Sequence, residues 1–130
     1  MADHPNVELL RKGYAAYSSG DIEVLNQLFA DDILWHIAGR SPIAGDYKGR
    51  DQVFGFFGKL MELSGGTAKI EVHDILANDE HAVALVTGTA TRGDNSYTGP
   101  DVHTFHIRNS QVVEFWDAPL DQYAADEFWS

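Results

Sequence analysis

The chain has 130 residues, a mass of 14.4 kDa and a formal charge of −11 from 20 acidic and 9 basic side chains. That length allows one domain, residues 1–130, and a chain of this size buries roughly two-thirds of the surface its unfolded form exposes. The negative field disfavours a nucleic-acid backbone or an anionic membrane as partner, and the lack of cysteine excludes a disulfide scaffold, a thiolate zinc site and a cysteine nucleophile.

The start, Met1-Ala2-Asp3-His4-Pro5, is polar and carries no secretory signal. The longest nearly apolar run, Ala82 to Val86, is far short of the roughly 18–20 residues that span a bilayer. A soluble, cytoplasmic protein is expected.

Val7, Leu10, Tyr14 and Tyr17 recur at spacings of three and four, which predicts a first helix with one apolar, aromatic face. Ser18-Ser19-Gly20 ends it, because glycine supplies the left-handed stop. Asp21 then caps a second helix whose buried stripe is Ile22, Leu25, Leu28 and Phe29. Ile33 to Ile37 is strand-like. Residues 38–49 hold Gly39, Gly45, Gly49 and Pro42 and read as a loop that a strand does not fit. Arg50 to Leu63 reads as a third helix, with Val53, Phe56, Phe57, Leu60 and Met61 on a wide apolar face.

The second half reads as β-structure: Ala68 to Leu76, His81 to Arg92, Val102 to Arg108 and Val112 to Asp117, separated by turns. Helices first and an antiparallel meander second predict an α+β fold. Three N-terminal helices cover one face of a curved, mainly antiparallel sheet.

Strand alternation selects the candidate site. His103, Phe105 and Ile107 share one face of the third strand; Val113, Phe115 and Asp117 share one face of the fourth. A two-residue turn would set His103 opposite Trp116. A three-residue turn, Asn109-Ser110-Gln111, matches Ile107 with Val113 and Phe105 with Phe115, and so sets His103 opposite Asp117. Opposed side chains have Cβ atoms roughly 4.5–5.5 Å apart, close enough for imidazole and carboxylate to pair. Such a pair in an aromatic concavity is a general acid/base unit; the competing reading is a structural contact.

Alternation puts His36 on the face opposite Ile33, Trp35 and Ile37, unless a bulge before Gly39 reverses it. It is carried as a third catalytic candidate. Tyr14, Tyr17, Trp35, Phe57, Phe105 and Phe115 are the candidate substrate-binding residues. The spacings of His4, His73 and His81 do not form a metal site, and His103 and His106 lie on opposite strand faces, so neither metal nor cofactor is expected. Trp116 and His106 face away from the helices, which predicts a homodimer through the outer sheet face.

Several short segments carry a resemblance by their order and spacing: Ser19-Gly20-Asp21, Leu28-Phe29-Ala30-Asp31-Asp32, Trp35-His36-Ile37-Ala38-Gly39, Tyr47-Lys48-Gly49-Arg50, and Val112 to Asp117. Together they resemble the SnoaL-like branch of the nuclear-transport-factor-2-like superfamily, which contains ketosteroid isomerase, polyketide cyclases and limonene epoxide hydrolase. The resemblance implies a cone-shaped α+β barrel with a deep pocket and cofactor-free acid/base chemistry. It sets Asp117 where cyclases and epoxide hydrolases carry a catalytic aspartate, and His103 where the isomerase carries a protonated acid. His36 or Ile37 falls near the isomerase base, and the isomerase tyrosine falls on Gly13, beside Tyr14. The isomerase constellation is therefore incomplete, and the epoxide hydrolase arginine has no counterpart.

Two functions fit this reading. One is a cofactor-independent isomerase, cyclase, dehydratase or hydrolase acting on a small hydrophobic carbonyl- or hydroxyl-bearing molecule. The other is a non-catalytic binding or dimeric assembly module of the same fold.

Overall fold

The computed structural model describes residues 3–130; Met1 and Ala2 of the polar start lie outside the described residues. The elements run α1 Pro5–Ser19, α2 Ile22–Leu28, β1 Phe29–Ile37, β2 Gly45–Lys48, α3 Gly49–Ser64, β3 Lys69–Ala77, β4 His81–Arg92, β5 Asn95–Arg108, β6 Gln111–Pro119 and α4 Gln122–Trp129. The six strands form one open sheet in the order β2-β1-β6-β5-β4-β3. All neighbours are antiparallel except β1 and β6, which run parallel, so the sheet is mixed. No helix among the described residues is long and apolar enough to cross a membrane.

Helix boundaries follow local chemistry. The Asp21 carboxylate accepts from the Val24 N–H at 3.2 Å and starts α2, and Gly20, at φ 72°, closes α1 in the left-handed conformation. Gly13 is buried, and a Cβ there would lie 2.6 Å from Leu28 Cδ2, so its lack of a side chain lets α1 lie close on α2. Val7, Leu10, Leu25, Leu28, Val53 and Phe56 press the helices onto the sheet.

The structure corrects four details of the sequence reading. Ile22 is exposed rather than part of the α2 stripe, and Phe29 packs as the first residue of β1. The glycine-rich 38–49 segment contains β2, which pairs Leu34 with Lys48 and Ile37 with Gly45 at the sheet edge. An edge strand needs partners on one side only, so glycines cost it less. A fourth helix, α4, follows the meander, capped by Asp121, whose side chain accepts from the Ala124 N–H at 3.0 Å. Finally, β5 begins at Asn95, not at Val102, because Gly99 and Pro100 stay in register with Gly88 and Thr87 of β4.

The β5–β6 hairpin reaches the expected pairing by an unexpected route. Its turn is the two-residue form, with Asn109 and Ser110 both left-handed at φ 52° and 60°. Ile107 therefore faces Val112, not Val113. A bulge at Val113 then shifts the register by one, so that Phe105 faces Phe115 and His103 faces Asp117.

The concave face of the sheet is hollow because β4 supplies it with small side chains. Ala82, Ala84, Val86 and Ala90 are its buried residues, with Gly88 between them.

Candidate active site

A cavity of about 170 Å³ lies between α1, α3, α4 and the concave sheet face. Tyr14, Tyr17, Trp35, Phe57, Phe105 and Phe115, the six expected binding residues, all line it. Trp35 stacks on Phe115 with centroids 3.8 Å apart and meets Phe57 edge-on at 5.5 Å. Aliphatic side chains such as Leu10, Leu28, Ile43 and Val86 complete a largely apolar wall, in which one buried polar cluster stands out.

That cluster centres on His103, whose side chain is 7% exposed. Its Nε2 lies 3.3 Å from Asp117 Oδ1 and 3.7 Å from Asp101 Oδ2, and its Nδ1 lies 2.7 Å from the Tyr14 hydroxyl. Both carboxylates belong to the cavity wall. Asp101 is a residue the sequence reading missed. It sits two positions before His103 on the same face of β5, and the i, i+2 pattern reaches it once the strand is extended across Pro100.

Burial alone would drive His103 to its neutral form, but the hydrogen bonds and charges of Asp101 and Asp117 override it and raise its pKa from 6.5 to about 9. Burial and the neighbouring Asp101 charge push Asp117 up to about 6, against the opposing pull of His103. Burial also acts to raise Asp101, yet its bonds to His103 and Asp117 and the Ala118 N–H hold it below the ordinary carboxylate range. Burial first, then the Asp101 and Asp117 charges, lift the Tyr14 phenol far above its usual value, so it stays protonated. Near neutral pH the cluster therefore holds an ionised Asp101, an imidazolium, a phenol, and one carboxyl, Asp117, poised to exchange a proton.

The imidazolium sets the direction of the Tyr14 bond. With both ring nitrogens protonated, Nδ1–H donates to the phenol oxygen, and the phenol's own hydrogen is free to donate to another acceptor. Asp101, His103 and Asp117 each also offer a metal-ligating atom, all within 4.8 Å of one another. A metal ion would have to displace the proton that Nε2 holds between the two carboxylates.

His36 is a correction. It does not line the cavity but lies on the outer sheet face, as simple alternation requires. There its Nδ1 lies 2.7 Å from Asp46 Oδ1 and its Nε2 2.6 Å from Glu114 Oε2, and its ring stacks on Trp116 at 5.4 Å. Partial burial opposes its protonation, but the two carboxylates outweigh that and raise its pKa. The irregularity in the β1–β6 ladder falls between Phe29 and Leu34, too early to reverse the face of residue 36.

The cavity wall also holds residues with no signal in the strand pattern. Gln122, Ala125, Asp126 and Trp129 of α4 all border the cavity. Asp126 Oδ1 accepts from the Arg40 N–H at 3.0 Å and lies where a Cβ on Gly39, at φ 101°, would collide with it. Arg92 donates from Nη1 to the carbonyls of Phe128 and Ser130 at 2.8 and 2.9 Å, which satisfies the open end of α4.

An open, curved α+β sheet roofed by helices, with acid/base groups on the wall of an apolar hollow, defines a class of small pocket proteins. The family model of the SnoaL-like domain matches residues 10–115, and the chain belongs to that family. An uncharacterised protein of Mycobacterium tuberculosis is 25% identical over 131 residues, covering 100% of both chains. Among solved structures, Bal32a from a soil-derived mobile gene cassette superposes with a TM-score of 0.92 at 38% identity, covering 96% of each chain. A protein of unknown function with a cystatin-like fold from Xanthomonas campestris gives 0.89 at 24% identity, covering 95% of this chain and 97% of that one.

Proposed function

We propose that the cavity is the active site of a cofactor-independent enzyme that moves a proton on a small hydrophobic molecule bearing a carbonyl or hydroxyl group. The observation that carries this is the Tyr14–His103–Asp117 chain, with contacts of 2.7 and 3.3 Å, set in a largely apolar wall. Asp117 is the proton acceptor, since a carboxyl held near pH 6 is ionised at neutral pH yet basic enough to take a proton. Tyr14 donates its free hydrogen to the oxygen on which negative charge develops. His103 keeps that hydrogen free and supplies a fixed positive charge in a site where water screens little. Removal of a proton beside a carbonyl is the step common to isomerisation, aldol-type cyclisation and some dehydrations, and the cluster needs no further group to perform it.

The test is proton exchange rather than turnover of a known substrate. β-Tetralone and related hydrophobic ketones are incubated with the protein in heavy water, and loss of the α-proton signal is followed by NMR. The expected result is exchange above the buffer rate that depends on Asp117. Exchange equal in the native protein and in Asp117→Asn overturns the reading and leaves a binding module.

A further inference from the structure

Among the described residues, Trp35 Nε1 and Asp101 Oδ1 are the buried side-chain polar atoms with no hydrogen-bond partner on the protein. Asp101 belongs to the acid/base cluster, where a reacting group explains it. Trp35 does not. Its side chain is needed as an aromatic wall, yet phenylalanine would stack on Phe115 as well and leave no donor stranded. The residue is 6% exposed and borders the cavity. The perpendicular Phe57 ring at 5.5 Å offers its N–H at best a π face, a second-order contact. A buried donor without an acceptor is destabilising, so a ligand that supplies an acceptor there gains selectively over one that does not.

Register fixes how far this donor lies from the chemistry. Trp35 pairs with Phe115 on β6, and His103 stands opposite Asp117 on the same strand. The two are thus two residues apart along the strands, about 7 Å, and two strand spacings apart across the sheet, about 10 Å. Between them lies the Phe115 ring, with centroids 3.8 Å from Trp35 and 5.0 Å from His103, which brings the two ends within about the length of a fused two-ring molecule. With Phe115 between them, each end calls for its own acceptor.

We infer that Trp35 is a specificity-determining hydrogen-bond donor, and that the ligand is a flat apolar molecule with oxygen at two opposite ends. One oxygen is held by the Tyr14–His103–Asp117 cluster, and the other accepts from the Trp35 indole. An indole N–H is a donor only, so the remote group must be an acceptor such as a carbonyl, ether or hydroxyl oxygen. This deepens the proposed function, because it takes the cavity to be a ligand site, but it does not require that a proton be transferred.

The experiment is therefore a binding measurement. An acetylnaphthol with its two substituents at opposite ends of the ring system is compared by calorimetry with the isosteric ethylnaphthol, which has oxygen at one end only. The native protein is expected to bind the acetyl compound about tenfold more tightly, the worth of a typical hydrogen bond. In Trp35→Phe the preference falls to near unity, while any cost of the smaller ring falls on both probes alike. In the native protein, labelled with ¹⁵N, the Trp35 indole N–H resonance is expected to move with the acetyl compound and to stay with the ethyl one. Equal affinity for the two probes in the native protein overturns the inference, as does a preference that survives Trp35→Phe. Two-ended preference without proton exchange fails the catalytic reading alone; exchange without two-ended preference fails this inference alone.

Discussion

His103 and Asp117 face each other across the β5–β6 ladder, with Nε2 3.3 Å from Oδ1, while Asp101 approaches the same nitrogen from 3.7 Å. Two carboxylates thus share one imidazolium, and they divide the work unequally. Asp101 is held ionised, whereas Asp117 is lifted towards neutrality. The asymmetry makes Asp117 the group able to trade a proton while Asp101 keeps His103 charged. Several expected outcomes depend on it.

Asp117→Asn removes the exchangeable carboxyl but keeps its shape and a hydrogen bond to His103. Proton exchange is expected to fall by about 10²–10⁴, the usual worth of a positioned acid or base. Binding of the acetylnaphthol probe should change little. NMR exchange rates and calorimetry on the same preparation check both halves.

Tyr14→Phe removes the phenol that receives the Nδ1–H bond at 2.7 Å. The exchange rate at saturating ketone is expected to drop by about 10²–10³, as for loss of one oxyanion donor. The drop should exceed any loss of affinity, because the bond strengthens only as charge develops on the oxygen.

The pH dependence of exchange should be bell-shaped. The rate rises as Asp117 ionises near pH 6 and falls as His103 loses its proton near pH 9. Because the groups interact, the two limbs report the cluster as a unit. Stability follows a defined sign. The folded pKa of His103 is raised from 6.5 to about 9, so its contribution is complete below about pH 6.5 and is lost as pH climbs through 9. The melting temperature should decline across that window, and His103→Gln should flatten the decline.

Gly39 is left-handed at φ 101° and sits against Asp126 Oδ1. Gly39→Ala imposes both backbone strain and a collision, so the clasp between the 38–40 loop and α4 should open. Faster amide hydrogen exchange confined to α4, with the β5–β6 core unchanged, is the expected pattern.

We also propose that a second copy of the chain covers the outer sheet face. Leu85 and Trp116 are exposed there at 41% and 38%, and Val102 and Thr104 lie between them on the intervening strand without formal charge. On a chain of charge −11 such an uncharged stretch suits a twofold contact with itself. Light scattering should give a dimer mass that Trp116→Glu converts to a monomer.

Much of this was legible in the sequence, for identifiable reasons. The first three helices announced themselves through spacings of three and four and through Gly20 and Asp21, and β4 was bounded by turn residues at both ends. Among the six aromatic wall residues, Tyr14, Tyr17 and Phe57 followed from helical spacing, and Trp35, Phe105 and Phe115 from strand alternation. Asp101 was hidden because Pro100 reads as a break, although β5 runs through it in register with Thr87. The His103–Asp117 pairing was reached through a three-residue turn, whereas the molecule uses two residues and a bulge at Val113; one-residue slips of either kind restore the same parity. α4 escaped because its eight residues carry too short a periodicity to stand apart from a tail.

Gly88 lies mid-strand in β4 on the cavity wall, and a Cβ built on it would meet nothing within 4 Å. The fold could accept a Cβ there without collision, yet the strand leaves the space vacant. The hollow is thus sustained by forgone packing, and a variant such as Gly88→Val should melt at higher temperature while admitting less ligand. Thermal robustness and capacity are set against each other at one backbone position that carries no side chain at all.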